Sequence, residues 1–95
     1  MSLEFDWDED KAASNHRKHQ VTFEEAATVF ADPLAAIFND EVHSVEEQRE
    51  IIVGHSAKNQ LLLVCFTERA EAIRIISARR ATKWERKDYE ENPHR

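Results

Sequence analysis

Two adjacent arginines, Arg79 and Arg80, are the residues of this sequence best suited to chemistry, with Arg69 and Arg74 ahead of them and Lys83, Arg86 and Lys87 behind. Guanidinium groups fork onto phosphate or carboxylate oxygens and keep their charge at any working pH. From Arg69 to Lys87 seven cationic side chains face only Glu71 and Glu85, a net +5, while the rest of the chain carries −11. A concentrated cationic segment in a protein of net charge −6 reads as a site rather than as a general polyanion coat. The plainer reading is a solvated strand and helix face rich in arginine, and charge alone does not separate the two.

Histidines 16, 19, 43, 55 and 94 are the groups whose resting pKa suits proton transfer near neutrality. His16 and His19 share a helix face at i, i+3 spacing, half of a metal site without a third ligand in view. His55 follows the single glycine, Gly54, at a strand end, where it could reach a substrate, and His94 belongs to the tail. Cys65 lies in the run Leu61-Leu62-Leu63-Val64-Cys65-Phe66 and reads as a small buried hydrophobe, since reactive thiols need electropositive, accessible surroundings. One cysteine excludes an intramolecular disulfide and any multi-cysteine metal knuckle. No metal and no cofactor is expected.

These groups need a scaffold, and 95 residues suffice for one domain, 1–95, with one core. Hydrophobic residues at 41% with charged residues at 34% suit a folded chain better than a disordered one. The six-residue apolar run is too short to span a bilayer, and the acidic N-terminus shows no signal peptide, so the expected location is cytoplasmic.

Leu3 to Trp7 alternates as a short strand, and Asp8 then caps a helix running to about Lys18, with Glu9 and Asp10 in its first turn. Thr22 and Glu25 form a capping box, with Val21 and Ala26 spaced as a staple, for a second helix that buries Phe23, Ala26, Ala27 and Phe30 and stops before Asp32-Pro33. Strands are predicted over Leu34–Phe38, Glu47–Val53, Leu61–Thr67 and Ala72–Arg80, joined by connections short enough for antiparallel hairpins. In the last strand strict alternation sets Ile73, Ile75 and Ser77 on one side and Arg74, Ile76, Ala78 and Arg80 on the other. Thr82 and Glu85 open a final helix carrying Trp84, Lys87 and Tyr89. The expected fold is α+β: an antiparallel sheet of four to five strands with two N-terminal helices and one C-terminal helix.

Read together, several blocks resemble a known family. They are Phe5-Asp6-Trp7-Asp8 with Lys11-Ala12, Asn15 and Lys18-His19; Val21 to Ala26; Val29 to Pro33; Glu47 and Arg49 ahead of Gly54; and Arg74 to Thr82 with Glu85-Arg86 and Tyr89. In this order, over nearly the whole chain, they resemble the BrnT-type toxins of bacterial type II toxin–antitoxin systems. One departure is Gln20, where the family usually has Gly after Lys-His, which makes a left-handed helix cap less comfortable.

The resemblance implies a compact RelE-like fold and a ribonuclease that blocks translation. It also implies neutralisation by a BrnA-like antitoxin whose other domain binds operator DNA, and a homodimer within a toxin–antitoxin heterotetramer. Metal-independent RNA cleavage needs a group to activate the 2′-hydroxyl, another to protonate the leaving 5′-oxygen, and positive charge on the phosphate. On this reading the catalytic candidates are Arg79 and Arg80, then Arg69, His55 and His19. Lys18, Lys83, Arg86, Lys87 and Trp7 are candidates for RNA contacts, and Trp84 or Tyr89 could also stack a base. Three competing expectations stand beside these. Arg79 could form an ion pair with Glu85 or Glu47, Trp84 could seal its helix onto the sheet, and the chain could be a non-catalytic module that partners a DNA-binding antitoxin or repressor.

Overall fold

Five strands and three helices make up the computed structural model, which describes residues 3–43 and 47–91. The strands are β1 (Phe5–Asp6), β2 (Ala36–Asn39), β3 (Glu50–His55), β4 (Leu61–Arg69) and β5 (Ala72–Arg80); the helices are α1 (Glu9–His19), α2 (Phe23–Thr28) and α3 (Lys83–Glu91). They form one sheet in the order β1-β5-β4-β3-β2, antiparallel throughout except for the parallel pair β1–β5. The expected α+β arrangement holds, with two helices before the main sheet and one after it.

The local signals explain the boundaries. Asp8 caps α1 by accepting from the amides of Asp10 and Lys11, at 2.8 and 3.1 Å. Thr22 accepts from the Glu25 amide at 3.0 Å, but the reciprocal half of that box is turned elsewhere. The buried Glu25 carboxylate accepts instead from Ser56 Oγ at 2.6 Å and Gln60 Nε2 at 2.9 Å, so it clamps the β3–β4 turn to α2. Strand β2 starts later than the apolar run Leu34–Phe38 suggests, because the Asp32 carboxylate accepts from the Leu34 amide and its carbonyl from the Ala35 amide, folding that stretch into a turn.

One face of the sheet is covered by α1 and α2. Val21, Phe23, Ala26 and Val29 pack against Ile52, Leu62, Val64, Phe66, Ile75 and Ala78. Aromatic contacts extend this core to the N-terminus: Phe30 stands 5.1 Å from Phe5 and 5.0 Å from Phe66, and Trp7 meets Phe23 edge-on at 5.8 Å. Each fully buried Phe stabilises by about 1.5–3 kcal/mol relative to exposure. Gly54 is required by close approach, since a Cβ there would lie 2.8 Å from Ala35 Cβ and 3.0 Å from Asp32 Oδ2.

Two irregularities along β5 shape the opposite face of the sheet. First, β1 covers the edge of β5 only at Ile73 and Arg74. Farther along, the buried Asn15 side chain acts as the missing neighbour: it accepts from the Ala78 amide at 3.1 Å and donates to the Ala78 carbonyl at 2.9 Å and to the Val21 carbonyl at 3.1 Å. Second, Cys65 pairs with Ser77 but Phe66 pairs with Ile75, so Ile76 is an extra residue bulged out of the ladder. The strict alternation expected for β5 is therefore wrong beyond Ile75. Ala78 lies in the core with Ile75, and Ser77 shares the opposite face with Arg79.

Replacing Asn15 with Ala leaves buried backbone groups of Val21 and Ala78 without partners, and we expect a loss of about 2–4 kcal/mol in chemical denaturation. The Gln20 backbone at φ 58° is left-handed, so Gln20→Gly should raise stability by about 0.5–1 kcal/mol, seen as a higher melting temperature.

Candidate active site

The face of the sheet away from α1 and α2 is where the chemistry-bearing side chains meet. His19 from the end of α1, Arg49 from the approach to β3, Cys65 of β4, and Ser77 and Arg79 of β5 line a cavity of about 290 Å³, with Asp40 closing one side and Ile51 and Leu63 on its floor. The β5 bulge turns Arg79 to this face. The helical period carries His19 to it: four residues after the buried Asn15, it lies on the same side of α1.

Arg79 does not stand alone. Its two terminal nitrogens donate to the two carboxylate oxygens of Glu85, both at 2.8 Å, and one also reaches the Arg80 carbonyl at 3.3 Å. Glu85 meanwhile accepts from the Thr82 amide at 2.8 Å, while the Thr82 hydroxyl accepts from the Glu85 amide, so the expected capping box of α3 and the Arg79 fork share one carboxylate. The Arg79 bonds, helped by the Thr82 amide and opposed by partial burial, hold the Glu85 carboxyl down at about 2, and the same bonds push the Arg79 guanidinium further above its ordinary value. Cys65 behaves oppositely: burial, and then the charge of Asp40, pushes its thiol up to about 11, which leaves it protonated and a poor nucleophile.

The other anticipated residues lie elsewhere. Arg80 is exposed on the opposite face of β5, in line with Ala78. Arg69 is six residues along β4 from Leu63, the partner of Arg79, or roughly 20 Å at the rise of a strand. It pairs with Glu47 at 3.5 Å, and Glu47 also stands 3.9 Å from Arg49. Arg74 pairs with Asp6 at 3.1 Å. His55, with Nδ1 3.8 Å from Asp32 Oδ2 and its ring 6.0 Å from that of Tyr89, borders the end of α3 rather than the cavity. Lys83, Arg86 and Lys87 lie along the outer side of α3, and Lys18 is exposed in the last turn of α1. The His43 side chain and His94 lie outside the described residues. The cationic segment is thus divided among several surfaces instead of forming one patch.

Two tryptophans exchange their expected places. Trp7, a candidate for RNA contact, packs on the core, while Trp84, expected to seal α3, is 70% exposed. Arg49 was visible in the sequence only as part of a motif, and no local signal marked Asp40 or Ser77, because strand pairing brings them to the cavity.

Comparison with known proteins adds to this geometry. Residues 7–85 match the family model described as "Ribonuclease toxin, BrnT, of type II toxin-antitoxin system". Among solved structures, the crystal structure of the Brucella abortus ribonuclease toxin, BrnT, is similar at 22% identity, with a TM-score of 0.68 over 86% of this chain and 100% of that one. No curated protein matches the sequence. Among the described residues no helix is long and apolar enough to cross a membrane.

The Arg79–Glu85 fork makes a pH-dependent prediction. Glu85 is depressed in the fold from 4.5 to about 2, so its stabilisation is complete above about 4.5 and is lost as pH falls through 2. Because Arg79 and Glu85 are 41% and 34% exposed, solvent screening reduces the contribution to about 1 kcal/mol. Glu85→Gln should be less stable than the parent by that amount at pH 7, with the two melting curves converging as pH approaches 2.

Proposed function

The chain belongs to the BrnT family of ribonuclease toxins of type II toxin–antitoxin systems, and from this we propose that RNA is cut in the open-face cavity by metal-independent attack of a ribose 2′-hydroxyl. One observation carries the reading: a histidine and an arginine from opposite ends of the chain, His19 and Arg79, line the same cavity, with a second guanidinium, Arg49, beside them.

In the proposed step the 2′-oxygen forms a bond to the adjacent phosphorus as the bond to the 5′-oxygen breaks, leaving a 2′,3′-cyclic phosphate and a 5′-hydroxyl. One proton leaves the 2′-hydroxyl and one is delivered to the 5′-oxygen. The His19 imidazole exchanges one of these protons and solvent water the other, so the step gains and loses none overall. Arg79 and Arg49 supply the positive charge that the phosphorane needs, a task otherwise suited to a metal ion. Arg79 enters already oriented by Glu85, and a phosphate oxygen must share or displace that carboxylate. Arg69, Arg80 and His55 have no part in this step, whereas Lys18, Lys83, Arg86 and Lys87 attract the flanking strand.

A type II system pairs its toxin with an antitoxin protein. The proposed partner is BrnA-like, setting carboxylates against Arg79 so that binding and masking coincide, with homodimerisation within a heterotetramer.

Purified protein should cleave RNA with a chelator present, and His19→Ala and Arg79→Ala should each lower the rate by at least roughly tenfold while melting cooperatively. Arg80→Ala should cost no more than about threefold, since its side chain faces away from the cavity. Absence of cleavage at high protein concentration would favour the non-catalytic binding module instead.

A further inference from the structure

Trp84 is the most conspicuous side chain left without a role. A tryptophan in the first turn of a helix flanking a sheet normally buries most of its ring, yet this one is 70% exposed. It borders a second cavity, of about 460 Å³, between α3 and the open face of β2–β4. Phe38, 43% exposed, stands on the β2 side, and Tyr89 closes the far end with its hydroxyl donating to the Leu34 carbonyl at 2.9 Å.

This cavity is continuous with the first. Ile51 and Leu63 form part of the floor of both, and the seam is the Arg79–Glu85 fork, Arg79 lining one side and Glu85 the other. Trp84 directly precedes Glu85, the carboxylate that Arg79 grips at 2.8 Å, so a group seated against Trp84 adjoins a phosphate held at Arg79. On the outer side of α3, the other flank of the exposed indole meets Lys83, Arg86, Lys87 and Glu90, three cations against one carboxylate. The charged groups of the cavity itself are Glu85 and Asp88, whose oxygens can accept from the amino or imino groups of a base. Aromatic walls, an apolar floor, acceptors at its edge and a neighbouring phosphate grip are together the features by which proteins hold an unstacked base of single-stranded RNA.

We propose that the cavity bounded by Trp84, Phe38 and Tyr89 is a nucleobase subsite, in which an unpaired RNA base adjoining the cut linkage stacks on Trp84. The proposal rests on the ribonuclease reading of the neighbouring cavity and adds to it that this chain recognises a flipped-out base, not only a sugar–phosphate backbone. Base pairing would hold that nucleotide away from the aromatic walls, so single-stranded RNA is the substrate and a duplex is not.

The test is steady-state cleavage of a short single-stranded RNA and of versions with an abasic nucleotide at successive positions, by the parent, Trp84→Ala and Trp84→Phe. Trp84→Ala should raise KM by about 5- to 100-fold, the effect of losing one base–aromatic stack, with kcat changed by less than about threefold. Trp84→Phe should restore most of the loss. One abasic position next to the cut should weaken the parent by a similar factor and leave Trp84→Ala unaffected, because both changes remove the same contact. The exposure of Trp84 means that both variants should melt like the parent. Unchanged KM in Trp84→Ala with cleavage intact would overturn the base subsite alone, as would independent penalties from the two changes. Loss of antitoxin binding with RNA handling unaltered would also overturn it and make the cavity a protein-docking groove. No cleavage and no binding of an uncleavable 2′-O-methyl RNA by the parent would instead overturn the ribonuclease reading itself.

Discussion

A single buried amide sets the geometry on which the open-face cavity depends. Asn15 takes the place of a strand along β5, pairing with both polar groups of Ala78 and also holding the Val21 carbonyl at the entrance to α2. A buried amide without partners is costly, so the position tolerates little rotation or slip of α1. That fixes the helix by an internal hydrogen-bond set rather than by apolar packing, which is sparse here, Asn15 being the buried residue of α1. His19, one turn later, inherits the constraint. The candidate proton-transfer group is therefore positioned by a side chain that never touches the cavity.

The second constraint is the bulge in β5. With perfect alternation Arg79 would share a face with Ile73 and Ile75, where an arginine would have to be buried in the core or would disrupt it. One extra residue, Ile76, reverses the parity, so that Ala78 fills the core and Arg79 emerges opposite it. The bulge also explains how two adjacent arginines have different surroundings. Arg79 is held in a bidentate fork by the cap of the next helix, whereas Arg80 points into solvent on the other side of the sheet.

Much of the scaffold was legible in the residues themselves. Asp8 and the pair Thr82–Glu85 announced helices α1 and α3 through short-range hydrogen bonds that depend on little beyond their neighbours, and the apolar run from Leu61 marked the central strand. What was not legible depended on partners far away in sequence. Glu25 has the right spacing for a reciprocal cap, yet a hydroxyl and an amide about 30 positions downstream claim its carboxylate. Register decided which way Arg79 points, and no local pattern encodes a bulge in an apolar strand. The two tryptophans are indistinguishable by composition; Trp7 is drawn into the core by Phe23, whereas the sheet beneath α3 leaves Trp84 uncovered. Of the candidate site, the residue types were readable and their assembly was not.

The parallel pairing of β1 with β5 joins residues near the start of the chain to residues well past its middle, and the cavity likewise combines position 19 with position 79. During synthesis this has a simple consequence. A nascent chain that has released α1 and α2 but not β5 has neither a closed sheet nor a complete cavity, whatever the stability of its early helices. Any reaction the cavity performs is thus withheld until β5 has left the ribosome, and a translation product interrupted before β5 lacks both Arg79 and the strand that carries it.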